Sequence, residues 1–245
     1  MDIQIKAKFV NYLFKMLSGQ YDSLPVVSAA DNPEFVKAEE EYRLPEAIPE
    51  EVGVTTKSIM ELYKRLLSNK GTGLQAIMIL RRCQIISEGY LAPYSRDYRH
   101  ISYSMCKSVT AMAVGIAIKE EYIKLDDKIS DLFPERIGIL TSKHIKEITI
   151  RHLLTMETGV KFNELSTVFE ADWVKGYFES DCSFAPGSNF EYNSLNTYIL
   201  SVIICKTTGM SLLDYVKKHI FIPLGITDAT WETCPAGYEK GGWGL

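Results

Sequence analysis

The segment SMCKSVTAMAVGIAIKEE, residues 104–121, constrains the fold more than any other part of the chain. From Val109 to Ile118 only Thr110 and Gly115 interrupt a run of Val, Ala, Met and Ile. Wound at 3.6 residues per turn, these side chains cover the whole circumference, so the predicted helix is a buried one. At its head stand Ser104 and Lys107, the only Ser-x-x-Lys in the sequence. Positions three apart share a helix face, which brings the lysine nitrogen within reach of the serine hydroxyl. Desolvation disfavours the ammonium form, and a neutral lysine can take the proton of a serine nucleophile. A helix N-terminus adds free backbone N–H groups and the positive end of its dipole beside a developing oxyanion. A plainer alternative stands next to this one: Ser104 caps the helix and Lys107 extends to solvent.

The elements on either side define the organisation. Residues 1–45 read as a peripheral leader with one amphipathic helix and a Pro/Ser/Ala/Asp stretch, and residues 46–245 as the main domain. Thr55 or Thr56 caps a predicted helix with apolar residues at Ile59, Leu62, Leu66 and Leu67, ended by Gly71. Two strands follow, Ala76–Leu80 and Gln84–Tyr90, joined at Arg81-Arg82 as a hairpin. After the Ser-Lys helix the chain is mostly helical. ITIRHLLTMETG reads as a short helix with Gly159 at its C-cap, and a longer helix ends at Gly209. A last helix is capped by Ser211 with Asp214 three residues on. Helix, hairpin, then a long helical section is an α+β order and not a βαβ alternation.

Several ordered segments resemble the serine β-lactamase and penicillin-binding-protein-like hydrolases, from about Gly73 to Leu245. The similarity is greatest to the branch with class C β-lactamases, related esterases and 6-aminohexanoate-dimer hydrolases. SYSMCKSVTAMAVGIAIKEEYIKLDDKISDLFPE resembles the family's nucleophile helix with its Leu-Asp-Asp turn and Pro-Glu. ITIRHLLTMETGV resembles the next family segment, with Thr158-Gly159 where Ser-Gly is usual. APGSNFEYNSLNTYILSVIICKTTGMSLLDYVKKHIFIPLGITDATW resembles the Pro-Gly, Tyr-x-Asn and Pro-Leu-Gly region. The resemblance implies a β-lactamase-like fold, an antiparallel sheet flanked by helices plus a mostly helical subdomain. It implies Ser104 as the acylated nucleophile, Lys107 as its base partner, and Tyr192 as the relay to the leaving group. Ser194 stands where the lactamases usually have asparagine. Its hydroxyl can bridge the lysine and the leaving group but presents no amide to a β-lactam side chain, which favours an ester or small amide as substrate. The alternatives are a module that acylates with β-lactams without turnover, and a catalytically incompetent fragment. The ending PAGYEKGGWGL matches the stretch before the family's later strands, so the sheet is expected to be incomplete and the hairpin edge unpaired.

Composition narrows the partners. A net charge of -4 and the lack of a dense Lys/Arg stripe give no footprint for nucleic acid. The five cysteines never fall into a CxxC spacing, and the four histidines lack metal spacing, so no metal and no cofactor is expected. An odd, scattered cysteine set favours a reducing compartment. With neither a secretory signal nor an apolar run of about 18 residues, the expectation is a cytoplasmic chain without a membrane partner. The Lys206–Gly209 sequence KTTG is read as a helix end, Cys106 as a packing residue, and Asp126-Asp127 as a turn. Oligomeric state has no sequence signal.

Overall fold

The computed structural model describes residues 44–245 except Lys70, Thr72 and Asp97; the predicted leader lies almost entirely outside the described residues. Two compact units are present. One comprises residues 44–100 and 225–228, the other residues 101–224 and 229–245.

The smaller unit holds helix α1 (Thr56–Ser68) and strands β1 (Ala76–Arg81) and β2 (Gln84–Tyr90). Thr55 is the N-cap, its hydroxyl oxygen accepting from Ser58 N–H at 3.1 Å. The strands pair antiparallel from Ala76–Tyr90 to Arg81–Gln84, with an irregularity between Ile79 and Leu80. Arg82 and Cys83 form the two-residue turn, and both have positive φ, 53° and 61°. Two left-handed residues give the twist a tight hairpin needs, although neither Arg nor Cys is the glycine that adopts it without cost. Val52, Ile59 and Ile86 make a small buried core against Ala47, Val54, Tyr63 and Ile79. The sheet has two strands, and among the described residues the outer edge of β1 is unpaired, as expected.

The larger unit is helical. A 3₁₀ turn at Tyr103–Met105 leads into α2 (Cys106–Lys119), followed by α3 (Ile150–Thr155), α4 (Trp173–Phe178), α5 (Ser194–Thr208) and α6 (Leu212–Val216). At the centre lies α5, buried at every residue from Ser194 to Ile204. It is buried on all sides because α2, α3 and α6 all pack against it, with Asn196, Thr197 and Ser201 among its buried residues. Gly209, with φ 73°, ends it as a left-handed C-cap, so KTTG is a helix terminus. Ser211 caps α6 through Asp214 N–H at 3.1 Å.

Two local expectations change. Helix α3 ends at Met156, itself left-handed with φ 59°, and Gly159 lies in the following turn. Helix α2 buries one face only: Cys106, Thr110, Ala113, Val114 and Ala117 are buried, whereas Ser108, Ala111, Met112 and Gly115 are exposed. Apolar composition permits burial on every side, but a face is buried only where another element arrives, and none among the described residues covers this one. Asp126 pairs with Arg151, and Asp127 accepts from Lys124 N–H at 2.7 Å, so that pair shapes a turn.

Candidate active site

Ser104 stands two residues before α2 and not within it. It occupies the middle of the 3₁₀ turn, preceded by Tyr103 at φ 45°. A bulky residue in the left-handed region is strained, and the strain is met here directly beside the serine. The N-cap position of α2 is Met105, which makes no side-chain cap. Ser104 is therefore not the helix cap, and its exposed hydroxyl is free for other partners.

Those partners are Lys107 and Tyr192. Lys107 Nζ donates to Ser104 Oγ at 3.0 Å, and Tyr192 OH donates to the same oxygen at 2.8 Å. The ammonium also lies 4.9 Å from the centre of the Tyr192 ring. Residues 88 apart in sequence thus converge on one hydroxyl. Lys107 does not extend away into solvent. Its Nζ makes a second, shorter bond to the carbonyl of Gly242 at 2.6 Å, which fixes the direction of the side chain.

Burial opposes ionisation of Tyr192. Hydrogen bonds with Lys107 and Ser104, the Lys107 charge and a hydrogen bond with Ser194 outweigh it and hold the phenol below its ordinary range. Cys106 behaves in the opposite way. Burial pushes its thiol up, the adjacent Lys107 charge offsetting only part of this, and Sγ packs against the Gly241 carbonyl at 3.4 Å. It is a core residue.

Ser194 is the first residue of α5 and is 5% exposed, and a Cβ on Gly242 would meet both its Cβ, at 3.1 Å, and Lys107 Nζ, at 3.5 Å, which sets Ser194 beside the lysine. All four residues singled out in the sequence, Ser104, Lys107, Tyr192 and Ser194, therefore share one site.

Three supports were not legible beforehand. Asn193 is buried, and its side chain is used at both ends. Nδ2 donates to the carbonyls of Val160 and Phe162 at 2.9 and 2.8 Å, while Oδ1 caps α5 by accepting from Leu195 N–H at 2.9 Å. Together with Glu191 N–H donating to Met156 O at 2.9 Å, this clamps the backbone on either side of Tyr192. The second support is the segment 240–245, laid along the first turns of α2. Gly241 O accepts from Thr110 Oγ1 at 2.8 Å, Gly242 O from Lys107, and Leu245 O from Ser102 N–H at 2.7 Å. A Cβ on Gly241 would stand 2.7 Å from Thr197 O, and one on Gly242 2.8 Å from Ser194 O, so only glycine allows so close an approach. The third is Glu164, whose Oε1 accepts from Ser194 N–H at 3.2 Å. The signal for the glycines was the GG pair itself; nothing in the sequence marks Asn193 or Glu164.

No group of three or more His, Cys, Asp or Glu side chains suited to a metal occurs among the described residues. No single described helix is long and apolar enough to cross a membrane.

The Beta-lactamase family model matches residues 64–245. A β-lactamase of Escherichia coli K12 is 28% identical over 144 residues, which cover 58% of this chain and 37% of that protein. The 6-aminohexanoate-dimer hydrolase of Paenarthrobacter ureafaciens is 24% identical over 187 residues, 68% of this chain and 47% of that one. Lovastatin esterase of Penicillium rubens is 25% identical over 191 residues, 66% and 44%. A solved structure from Bacillus anthracis matches with a TM-score of 0.63 at 22% identity, over 85% of this chain and 60% of its own, a likeness of fold. The chain spans less than half the length of these three curated relatives. With its family model matched over residues 64–245, the chain belongs to the β-lactamase family.

Proposed function

We propose that this chain carries the nucleophile of a serine hydrolase that works through an acyl-enzyme on Ser104, with a carboxylic ester or small amide as substrate. The observation that carries the reading is the convergence of Lys107 Nζ and Tyr192 OH on one exposed serine hydroxyl, at 3.0 and 2.8 Å. Ser104 Oγ attacks the acyl carbon and forms the new C–O bond. Its proton passes into the Lys107–Tyr192 pair. The bond to the leaving group breaks, and the pair returns the proton to the departing alkoxide or amine. Water then attacks the acyl-enzyme, giving up its proton to the same pair and restoring Ser104.

Lys107 has a second task, since its cation favours the phenolate form of Tyr192 and so raises the share of Tyr192 present as the base near neutral pH. The Ser194 hydroxyl, next to this pair, serves the leaving-group side in this reading. Relatives named a 6-aminohexanoate-dimer hydrolase and a lovastatin esterase support an amide or ester as substrate, and a β-lactamase stands among the relatives as well. What favours the ester or amide over a β-lactam is the Ser194 hydroxyl, where an amide would be needed for a lactam side chain.

The test is incubation with a fluorophosphonate and with a chromogenic ester, followed by peptide mapping of the adduct. Labelling at Ser104 with continued release of chromophore supports the hydrolase. A stoichiometric burst on a β-lactam that then stops supports a covalent binding module. Absence of labelling by all of these probes refutes the nucleophile assignment.

A further inference from the structure

We infer that Glu164 selects substrates carrying a positive charge, so that the preferred ester or amide has a cationic group on one side of the scissile bond. This rests on the acyl-enzyme reading of Ser104. Glu164 lies on the loop after Phe162, a residue whose carbonyl Asn193 holds. One carboxylate oxygen, Oε1, is fixed on the backbone N–H of Ser194, which neighbours Lys107 across Gly242. An acceptor fits there because Ser194 N–H is one of the donors that α5 leaves unpaired at its N-terminus. The second oxygen is different. Glu164 is exposed, and among the described residues its Oε2 has neither a hydrogen-bond nor an ion-pair partner.

The backbone bond therefore anchors a carboxylate on Ser194, beside the proposed site, and leaves half of its acceptor capacity open. Exposed apolar side chains stand on the segments bearing the site, among exposed polar ones that include Lys161, Asn163 and Glu191: Tyr103 and Met105 flank the serine, Leu165 follows Glu164, and Phe190 lies two residues before Tyr192, each more than 60% exposed. An anchored carboxylate with an open oxygen, beside these apolar side chains, suits a substrate with a hydrocarbon body and an ammonium end. It disfavours an anionic one. Lys107 does not neutralise Glu164 in the described contacts, being committed to Ser104 and Gly242.

The experiment compares acylation of Ser104 by two p-nitrophenyl esters of the same shape. One is the ester of 4-(trimethylammonio)butyric acid, the other that of 5,5-dimethylhexanoic acid, in which carbon replaces the charged nitrogen. Each rate is divided by the spontaneous hydrolysis rate of that ester. The cationic ester is expected to acylate about fivefold faster at low salt, the size of one partly screened ion pair. The ratio should fall as salt is raised. Glu164→Gln keeps an acceptor for Ser194 N–H and removes the charge, so its ratio should fall to about one. A wild-type ratio within about 1.5-fold of one, or an unchanged ratio in Glu164→Gln, overturns the inference. Equal acylation of Ser104 by both esters leaves the hydrolase reading standing and sinks only charge selection. No acylation of Ser104 by either ester defeats both.

Discussion

Lys107 Nζ and the carbonyl of Gly242 lie 2.6 Å apart across 135 residues of sequence. That bond and the 3.0 Å bond to Ser104 set the lysine between a fixed backbone acceptor and the hydroxyl it serves. A charge-assisted bond to an immobile carbonyl orients the side chain more tightly than solvent would. Gly242→Ala places a methyl 2.8 Å from Ser194 O and 3.5 Å from Lys107 Nζ, so the segment must shift. Acylation should slow on the order of 10²-fold, the usual consequence of an ångström of misplacement. Stopped-flow acylation with a chromogenic ester checks it, and a rate within threefold of wild type would make the carbonyl incidental.

Ser104→Ala should abolish covalent labelling and leave stability within about 0.5 kcal/mol. The hydroxyl is exposed, caps no helix, and touches only Lys107 and Tyr192 among the described contacts. Intact-protein mass after fluorophosphonate treatment, with a thermal melt alongside, tests both halves.

Lys107→Met should slow acylation severely while the protein stays folded. Methionine keeps most of the volume and a flexible chain, and removes the charge. A variant acylating within threefold of wild type would relegate Lys107 to a structural role.

The lowered Tyr192 pKa fixes the sign of a pH effect. Its phenolate forms at lower pH than that of an ordinary tyrosine, whose pKa is about 10. If the phenolate is the working base, acylation rises with pH along a limb that begins below that value. Tyr192→Phe should remove the limb, and removing the cation with Lys107→Met should move the phenol's titration upward. Ultraviolet difference titration of wild type against Tyr192→Phe measures the titration itself. A limb that survives unchanged in Tyr192→Phe belongs to another group.

Asn193 offers a separation of stability from positioning. Asn193→Ala loses the α5 cap and leaves the Val160 and Phe162 carbonyls without their donor. The cost should be about 2–4 kcal/mol, adding roughly 1 for the cap to 1–3 for buried groups left unmet. Asn193→Ser keeps a capping oxygen and loses only the clamp, so it should be the more stable of the two. Its kcat should still fall and its alkaline limb should move, because Tyr192 is no longer held on Lys107. A stable Asn193→Ser with a wild-type pH profile would show that the clamp serves the fold alone.

What is local can be read from the order of residues alone. Helix α1 with its Thr55 cap, the hairpin, the Gly209 stop of α5 and the Ser211 cap of α6 all follow from side chains acting on backbone a few residues away. Ser104 and Lys107 were legible for the same reason, since three residues of separation place them together whatever surrounds them. Tyr192 and Ser194 could be named only through family resemblance, because nothing in a Tyr-Asn-Ser triplet points at a serine 88 residues upstream. Tertiary structure decided the rest. It brought Tyr192 onto Ser104, ran the Gly241-Gly242 carbonyls along α2 to fix Lys107, and turned Asn193 from an ordinary polar residue into the clamp of the tyrosine. It also left half of the apolar α2 uncovered. Hydrophobic pattern records which surfaces tolerate burial, while the partner of each surface depends on contacts between segments far apart in the chain.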